Sequence, residues 1–302
     1  MTGAVTRTGK RRLSYERKKS RVGLYFLIPW IIGFLLFFLI PAIGSLTYSV
    51  GKIDAETGFG IQFVGFEHYI KAFTEDSQFV PLLLNSIPPM VYQVPIIVIF
   101  SLFLALIINQ KFFGRTFARA VFFLPIVIAS GMVISIIRGD AFSQMLMQNT
   151  SSSHLFQSEM LSILLKEMEI APEVVSFITK MVDSIFELIW KSGIQTLLFL
   201  AALQTISPSM YEAAKMEGGT AWENFWKITF PMVSPTILIN LIYSIIDNFS
   251  DYSNQVVTYI NSFSQQAMFE YSSALTWVYA LLMLAFVALV YVVVNRFVYY
   301  EG

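Results

Sequence analysis

Long apolar runs alternate with short polar loops along most of this chain. Six runs are long enough to cross a hydrocarbon core, which takes about 20 helical residues. They fall at residues 22–46, 84–109, 119–137, 185–206, 233–251 and 273–297. Each run is continuous rather than alternating, and lipid leaves every backbone polar group to be satisfied within its own segment, so the pattern predicts helices rather than strands. Pro88, Pro89 and Pro95 predict a kink in the second run. The fifth is the weakest, because its C-terminal end is polar. The first follows a basic head, as a signal peptide would. At about 25 residues it is longer than the apolar core of a signal peptide and has no convincing cleavage site, so it is expected to be a retained span.

Three polar segments stand out between the runs. Loop 47–83 contains Phe63–Tyr69, FVGFEHY, whose glycine and aromatics predict an ordered surface turn. Segment 138–184 opens with polar residues at Asn149–His154. Val174, Ile178, Met181 and Ile185 then recur at helical spacing, which predicts one or two amphipathic helices. Packing of these on the membrane domain and contact with an external partner are both open.

Segment 207–232 is the most informative. Ser207 and Pro208 suit the N-cap and first position of a helix running through Glu212, Ala213, Ala214 and Lys215. Gly218 and Gly219 end it, since glycine tolerates the left-handed backbone of a helix terminus. Thr220 and Glu223 form a T-x-x-E capping box for a second helix. Trp222, Phe225, Trp226 and Thr229 share one face of it, and Pro231 is expected to close it. The loop is therefore a helix–turn–helix of fixed shape. The two alanines leave a narrow, smooth face beside Glu212, suited to a groove on another protein. A helix pair resting on lipid headgroups is the other reading.

Composition agrees with a membrane chain: 56% of residues are hydrophobic, 13% are charged, and mean hydropathy is +0.64. A soluble domain carries about 25% charged residues. Net charge is zero, so it points to no acidic or basic partner, but its distribution sets a topology. The tail 1–21 and alternate loops hold 14 of the 20 lysines and arginines, among them Lys111, Arg115, Arg119, Lys215, Lys227 and Arg296. The other side holds Lys52, Lys71, Arg138, Lys166, Lys180 and Lys191. The positive-inside bias puts both termini and loops 110–118 and 207–232 in the cytoplasm. The basic tail also suits anionic lipid.

Several chemistries are missing. There is no GxxxxGK[ST] phosphate loop, no HExxH and no GxSxG nucleophile elbow. The two histidines, His68 and His154, lie in different loops, and cysteine is absent, so no metal site is expected. No basic, aromatic-interleaved groove suggests nucleic acid.

Polar residues inside spans default to functional suspects. In the fifth span Ser244, Asp247, Asn248 and Asp251 share one face at i, i+3, i+4, i+7. In the fourth, Glu187, Trp190, Lys191 and Ile194 repeat that spacing. The two faces could line one cavity, with Trp190 stacking on a ring and the carboxylates and Asn248 meeting hydroxyls. Alternatively, Glu187 and Lys191 pair at the outer interface and Asp251 only ends a helix. Tyr92, Gln93 and Tyr243 are further candidates.

The order Glu212-Ala213-Ala214, three residues, Gly218, nine residues, Ile228, one residue, Phe230-Pro231 resembles the EAA motif of binding-protein-dependent ABC importer permeases. Phe230 stands where leucine is usual, and Glu217-Gly218-Gly219 where sugar permeases often have Asp-Gly-Ala. LIPW near Leu27, VGFEHY near Val64, FFLP at Phe122–Pro125 and LAALQTISPSMYEAA from Leu200 extend the likeness to the carbohydrate, maltose-permease-like branch. The resemblance implies an all-α membrane protein with six transmembrane helices, the type I ABC importer permease fold and a cytoplasmic coupling helix. It divides the chain into tail 1–21 and a permease domain 22–302, with 138–184 an extracellular insertion and 207–232 the cytoplasmic EAA loop. It implies a carbohydrate substrate, oligosaccharides being the expected class. It also implies a second homologous permease, two cytoplasmic ATPase subunits and an extracellular solute-binding protein. By the same resemblance Glu212, Ala213, Ala214, Gly218, Ile228 and Pro231 form the ATPase-coupling element, ATP is held by the partners, and this chain is neither an enzyme nor the holder of a cofactor. A permease for another solute and an ion-coupled secondary transporter remain the alternatives.

Overall fold

The computed structural model describes residues 25–54, 60–110, 112–117, 119–120, 159–168, 171–251 and 254–299. The basic tail 1–21, nearly all of the expected span 119–137, and the first part of segment 138–184 lie outside these residues. The described residues within Met1–Glu75 and Phe263–Val278 form one compact unit, and those within Asp76–Ser262 and Tyr279–Gly302 form another.

In the first unit, α1 (Tyr25–Ser49) is followed by strands β1 (Gly51–Asp54) and β2 (Gly60–Phe63), then by α2 (Glu67–Thr74). Reading the apolar runs as helices left no room for strands, yet β1 and β2 pair antiparallel, with Ile53 opposite Ile61. They do so in a polar loop, where an open sheet edge meets water instead of lipid. The expected turn in Phe63–Tyr69 is present: Gly65 has φ +70°, and the Val64 and Gly65 amides both donate to the Val50 carbonyl at 3.0 and 3.1 Å. Glu270 accepts from the Ile53 amide at 2.8 Å.

The second unit holds α3 (Phe79–Asn109), α4 (Glu159–Glu167), α5 (Pro172–Lys191), α6 (Gly193–Thr205), α7 (Pro208–Met216), α8 (Ala221–Ser250) and most of α9 (Gln255–Gln265). The last helix, α10 (Phe269–Phe297), contributes to both units. Helix α3 continues unbroken through Pro88, Pro89 and Pro95. Its start is fixed by Asp76, whose carboxylate accepts from the Gln78 and Phe79 amides at 3.0 Å. The Tyr259 hydroxyl donates to the same carboxylate at 2.9 Å; burial first, and that carboxylate second, push it up to about 12.

Four described helices are long and apolar enough to cross a membrane: α1, α3, α8 and α10. The pair α5–α6 makes a fifth if taken as one broken span. The expected span 185–206 thus falls across two helices. The chain bends by 50° between Lys191 and Gly193, at Ser192, whose φ of −87° and ψ of −3° lie at the edge of the helical region. Glycine next to it gives little resistance to such a break.

The core of this unit joins three helices. Val98, Ala105 and Ile108 of α3 meet Phe199, Leu200 and Leu203 of α6, with Ile206 and with Val233 of α8. Lipid tails are as apolar as these side chains, so close packing and interhelical hydrogen bonds hold the helices together more than exclusion from water does.

Candidate functional site

The loop between α6 and α8 is built much as its residues predict. Helix α7 starts at Pro208 after Ser207 and ends at Met216. Gly218 takes φ +82°, with no atom within 4 Å of where a Cβ would sit, so backbone conformation alone calls for glycine there. Gly219 is required for a different reason. A Cβ there would stand 2.8 Å from the Ala214 carbonyl oxygen, which accepts the Gly219 amide hydrogen bond, also at 2.8 Å. The capping box forms completely: Glu223 donates its amide to Thr220 Oγ1 at 3.3 Å and accepts from the Thr220 amide at 3.0 Å.

One expectation fails here. Pro231 does not close the second helix, which runs on as one 30-residue element, Ala221–Ser250. The reason lies in Phe225–Thr229, which form a π-turn: the Phe230 amide reaches back to Phe225 O. Proline at 231 has no N–H to donate, and its ring would press on the carbonyl four residues back. One extra residue in the preceding turn removes the conflict. Helix α1 does the same with a π-turn at Leu35–Leu39 ahead of Ile40-Pro41.

The loop is tied to the core. Tyr211 and Ile228 pack against the buried cluster, and the hydroxyls of Tyr211 and Thr229 share a 2.9 Å hydrogen bond. Glu212, Ala213 and Gly218 stay exposed, Ala214 is half-buried and Thr229 is buried, away from the exposed Trp222 and Trp226 whose face it was expected to share. Ile228 thus anchors the loop, while Glu212 and Ala213 present its outer face.

At the opposite end of α8 the structure brings the two suspected polar faces together. Lys191 Nζ lies 2.9 Å from Glu187 Oε1 on its own helix and 3.1 Å from Asp251 Oδ2 just past the end of α8. Asn248 donates to Gln93 Oε1 of α3 at 3.1 Å. Ser244 accepts from Gln195 Nε2 of α6 at 2.9 Å. Asp247 is exposed, and Trp190 is half-buried beside Lys191. Ile194 does not share the Glu187–Lys191 face, because the break at Ser192 puts it on α6.

Sequence spacing missed the buried amides. Gln195 and Asn240 are 1% and 0% exposed, and Asn240 Nδ2 donates to the Gln195 carbonyl at 3.3 Å. Among the described residues, Gln195 Oε1 and Asn240 Oδ1 meet no hydrogen-bond donor. Ser101 of α3 completes this layer, at 3.4 Å from the Ser192 carbonyl. The signal was available: Asn240 lies four residues before Ser244, on the same face of α8. The arrangement is an interhelical polar seam ending in an ion-paired cluster, with hydroxyl, amide and carboxylate groups of the kind that hold a polyhydroxylated solute.

Residues 185–300 match the family described as the binding-protein-dependent transport system inner membrane component. This chain belongs to that family and is a multi-pass membrane permease subunit of an ABC transporter. The lactose transport system permease protein LacF of Rhizobium radiobacter is 30% identical over 241 residues, covering 78% of this chain and 75% of that one. The arabinooligosaccharides transport system permease protein AraP of Bacillus subtilis (strain 168) is 28% identical over 268 residues, with 86% and 78% covered. A chain of the bacterial alginate ABC transporter, solved with its alginate pentasaccharide-bound periplasmic protein, superposes with a TM-score of 0.59 at 20% identity, covering 95% of this chain and 98% of that one. That likeness establishes the fold.

Proposed function

We propose that this chain is a permease subunit of an ATP-driven importer for oligosaccharides, and that α8 links its energy source to its solute path. One observation carries the reading: a single 30-residue helix has the capped, glycine-fitted loop at its start, and Asp251, ion-paired to Lys191, follows its end. The loop's exposed Glu212 and Ala213 dock on a cytoplasmic ATPase, while Tyr211 and Ile228 pass its displacement into the core. A second, homologous permease completes the pathway, two ATPase subunits hold the ATP, and an extracellular binding protein delivers the sugar. This chain holds no cofactor of its own.

Both termini and loop 207–232 lie on the cytoplasmic side of the bacterial membrane, as the Lys and Arg distribution supports. The polar seam and the Lys191 cluster then sit in the outer half of the spans. There Trp190 and Asp247 meet the sugar, and Glu187 and Asp251 balance the charge of Lys191. The likeness to permeases of lactose and arabinooligosaccharide transport systems supports the substrate class.

The test is sugar-stimulated ATP hydrolysis by the reconstituted complex, with a panel of oligosaccharides and the binding protein. Wild type is compared with Glu212→Lys and Gly218→Pro. Stimulation by one sugar class, lost in both variants while the complex still assembles, is the expected result. Unchanged stimulation in both variants removes the coupling role. Stimulation only by amino acids or phosphate esters removes the substrate class. Uptake indifferent to ATP would instead establish an ion-coupled carrier.

A further inference from the structure

Helix α2 divides into three sectors. His68, Tyr69 and Ala72 face inward; Glu67, Lys71 and Thr74 are polar and exposed; Phe66, at its N-cap, with Ile70 and Phe73 forms a third, apolar stripe. Those three are spaced i, i+4, i+7 and so lie on one side. Each is more than half exposed, and Phe63 at the end of β2 is exposed too. Such a face is unusual on an element that is neither a span nor core.

The helix is also fixed in height. The Tyr69 hydroxyl donates to Ser49 Oγ, in the last turn of the span α1, at 2.8 Å. A His68 ring nitrogen lies 3.0 Å from the Gly51 carbonyl, two residues past that turn. The Val64 and Gly65 amides close on Val50. Three independent tethers therefore hold α2 against the end of a membrane-spanning helix, at the level where hydrocarbon gives way to headgroups. Lys71 keeps to the other side, its ammonium 5.1 Å from the Tyr271 ring centre. Helix α1 has no buried residue along its apolar window.

From this geometry we infer that α2 is an interfacial helix: Phe66, Ile70 and Phe73 insert into the bilayer leaflet reached by the C-terminal end of α1. The polar sector faces water, and the inward sector holds the helix to the protein. Interfacial helices bury their apolar side about 5–10 Å into the headgroup–acyl boundary. The occupant of the stripe is therefore lipid. Its role is to fix the depth and tilt of α1 by a contact off the span axis.

The absence of cysteine makes the test direct. Single cysteines are placed at Ile70→Cys, Phe73→Cys and, as a polar-sector control, Glu67→Cys. Each is spin-labelled in the assembled importer, with partner chains also freed of cysteine. The complex is reconstituted in phosphatidylethanolamine–phosphatidylglycerol vesicles, and collision with oxygen is compared with collision with a water-soluble nickel chelate. At Ile70 and Phe73 oxygen is expected to dominate, at a depth of about 5–10 Å below the phosphates, while Glu67 favours the chelate. Chelate access at Ile70 and Phe73 equal to that at Glu67 would overturn the inference, because the stripe would then be in water. Labels at both positions shielded from both reagents would overturn it too, because a protein surface would then cover the stripe. The two apolar positions give independent readings, so loss of one variant to misassembly leaves the other.

Discussion

The Lys191–Asp251 pair should be worth measurably more than Lys191–Glu187, although the second is shorter. The three side chains are 14%, 28% and 52% exposed for Lys191, Asp251 and Glu187. At 3.1 Å and an effective dielectric of about 20, the gross attraction between Lys191 and Asp251 is about 5 kcal/mol. Removing both charges from water cancels much of it, and couplings measured between contacting groups run about 0.5–3 kcal/mol. The Asp251 pair belongs in the upper part of that range because it is the more enclosed and links two helices. The Glu187 pair is an i,i+4 contact with a half-exposed carboxylate, worth about 0.3–0.5 kcal/mol. The assay is a pair of double-mutant cycles, Lys191→Met with Asp251→Asn and Lys191→Met with Glu187→Gln. Unfolding in mixed detergent–SDS micelles is followed by tryptophan emission. A coupling to Asp251 of about 1–3 kcal/mol, several times that to Glu187, is expected. Equal couplings, or a larger one to Glu187, would refute the reasoning, since enclosure would then not govern the cluster.

The remaining predictions concern the loop and the seam. Gly218→Ala should lose about 1–2 kcal/mol of stability from the left-handed backbone, and Gly218→Asn should lose less, because asparagine tolerates that conformation. Gly219→Ala should slow sugar-stimulated hydrolysis through displacement of the Ala214 carbonyl, a shift visible as faster amide exchange at residue 219. Thr220→Ala should cost about 1 kcal/mol through loss of the cap, read in the same micelle titration. Ser244→Ala removes an interhelical hydrogen bond and should cost about 0.6 kcal/mol, and no more than about 1.7.

The local chemistry of the loop was legible because its signals are short-ranged. Ser207-Pro208, Gly218 and the Thr220–Glu223 box each act within one turn, and each appears where the residues indicate. Pro231 misled because a proline penalises only a regular α-helix, and a π-turn placed just before it escapes the penalty. The break at Ser192 was invisible in hydropathy, which sees an unbroken apolar run on either side of it. The candidate cluster was half legible. Spacing gave the faces holding Lys191 and Asp251, but only three-dimensional packing brings Gln93, Gln195 and Asn240 onto them. Strands β1 and β2 are four residues each and lie in a loop, too short for periodicity to register.

The π-turn at Phe225–Thr229 also sets the angular phase of everything that follows it. Each residue of an α-helix advances the azimuth by about 100°. Absorbing one extra residue near the start of α8 therefore leaves the downstream side chains pointing about 100° away from where an uninterrupted helix of the same start would aim them. Asn248 faces Gln93, and Asp251 faces Lys191, only in the shifted phase. A deletion of one residue within Phe225–Thr229 would turn the π-turn into regular α-helix and restore the conflict at Pro231. The polar seam would keep its register with α3 and α6, whereas one residue inserted after the turn would rotate that seam by about 100° and disable the far end of the span without altering a single residue there.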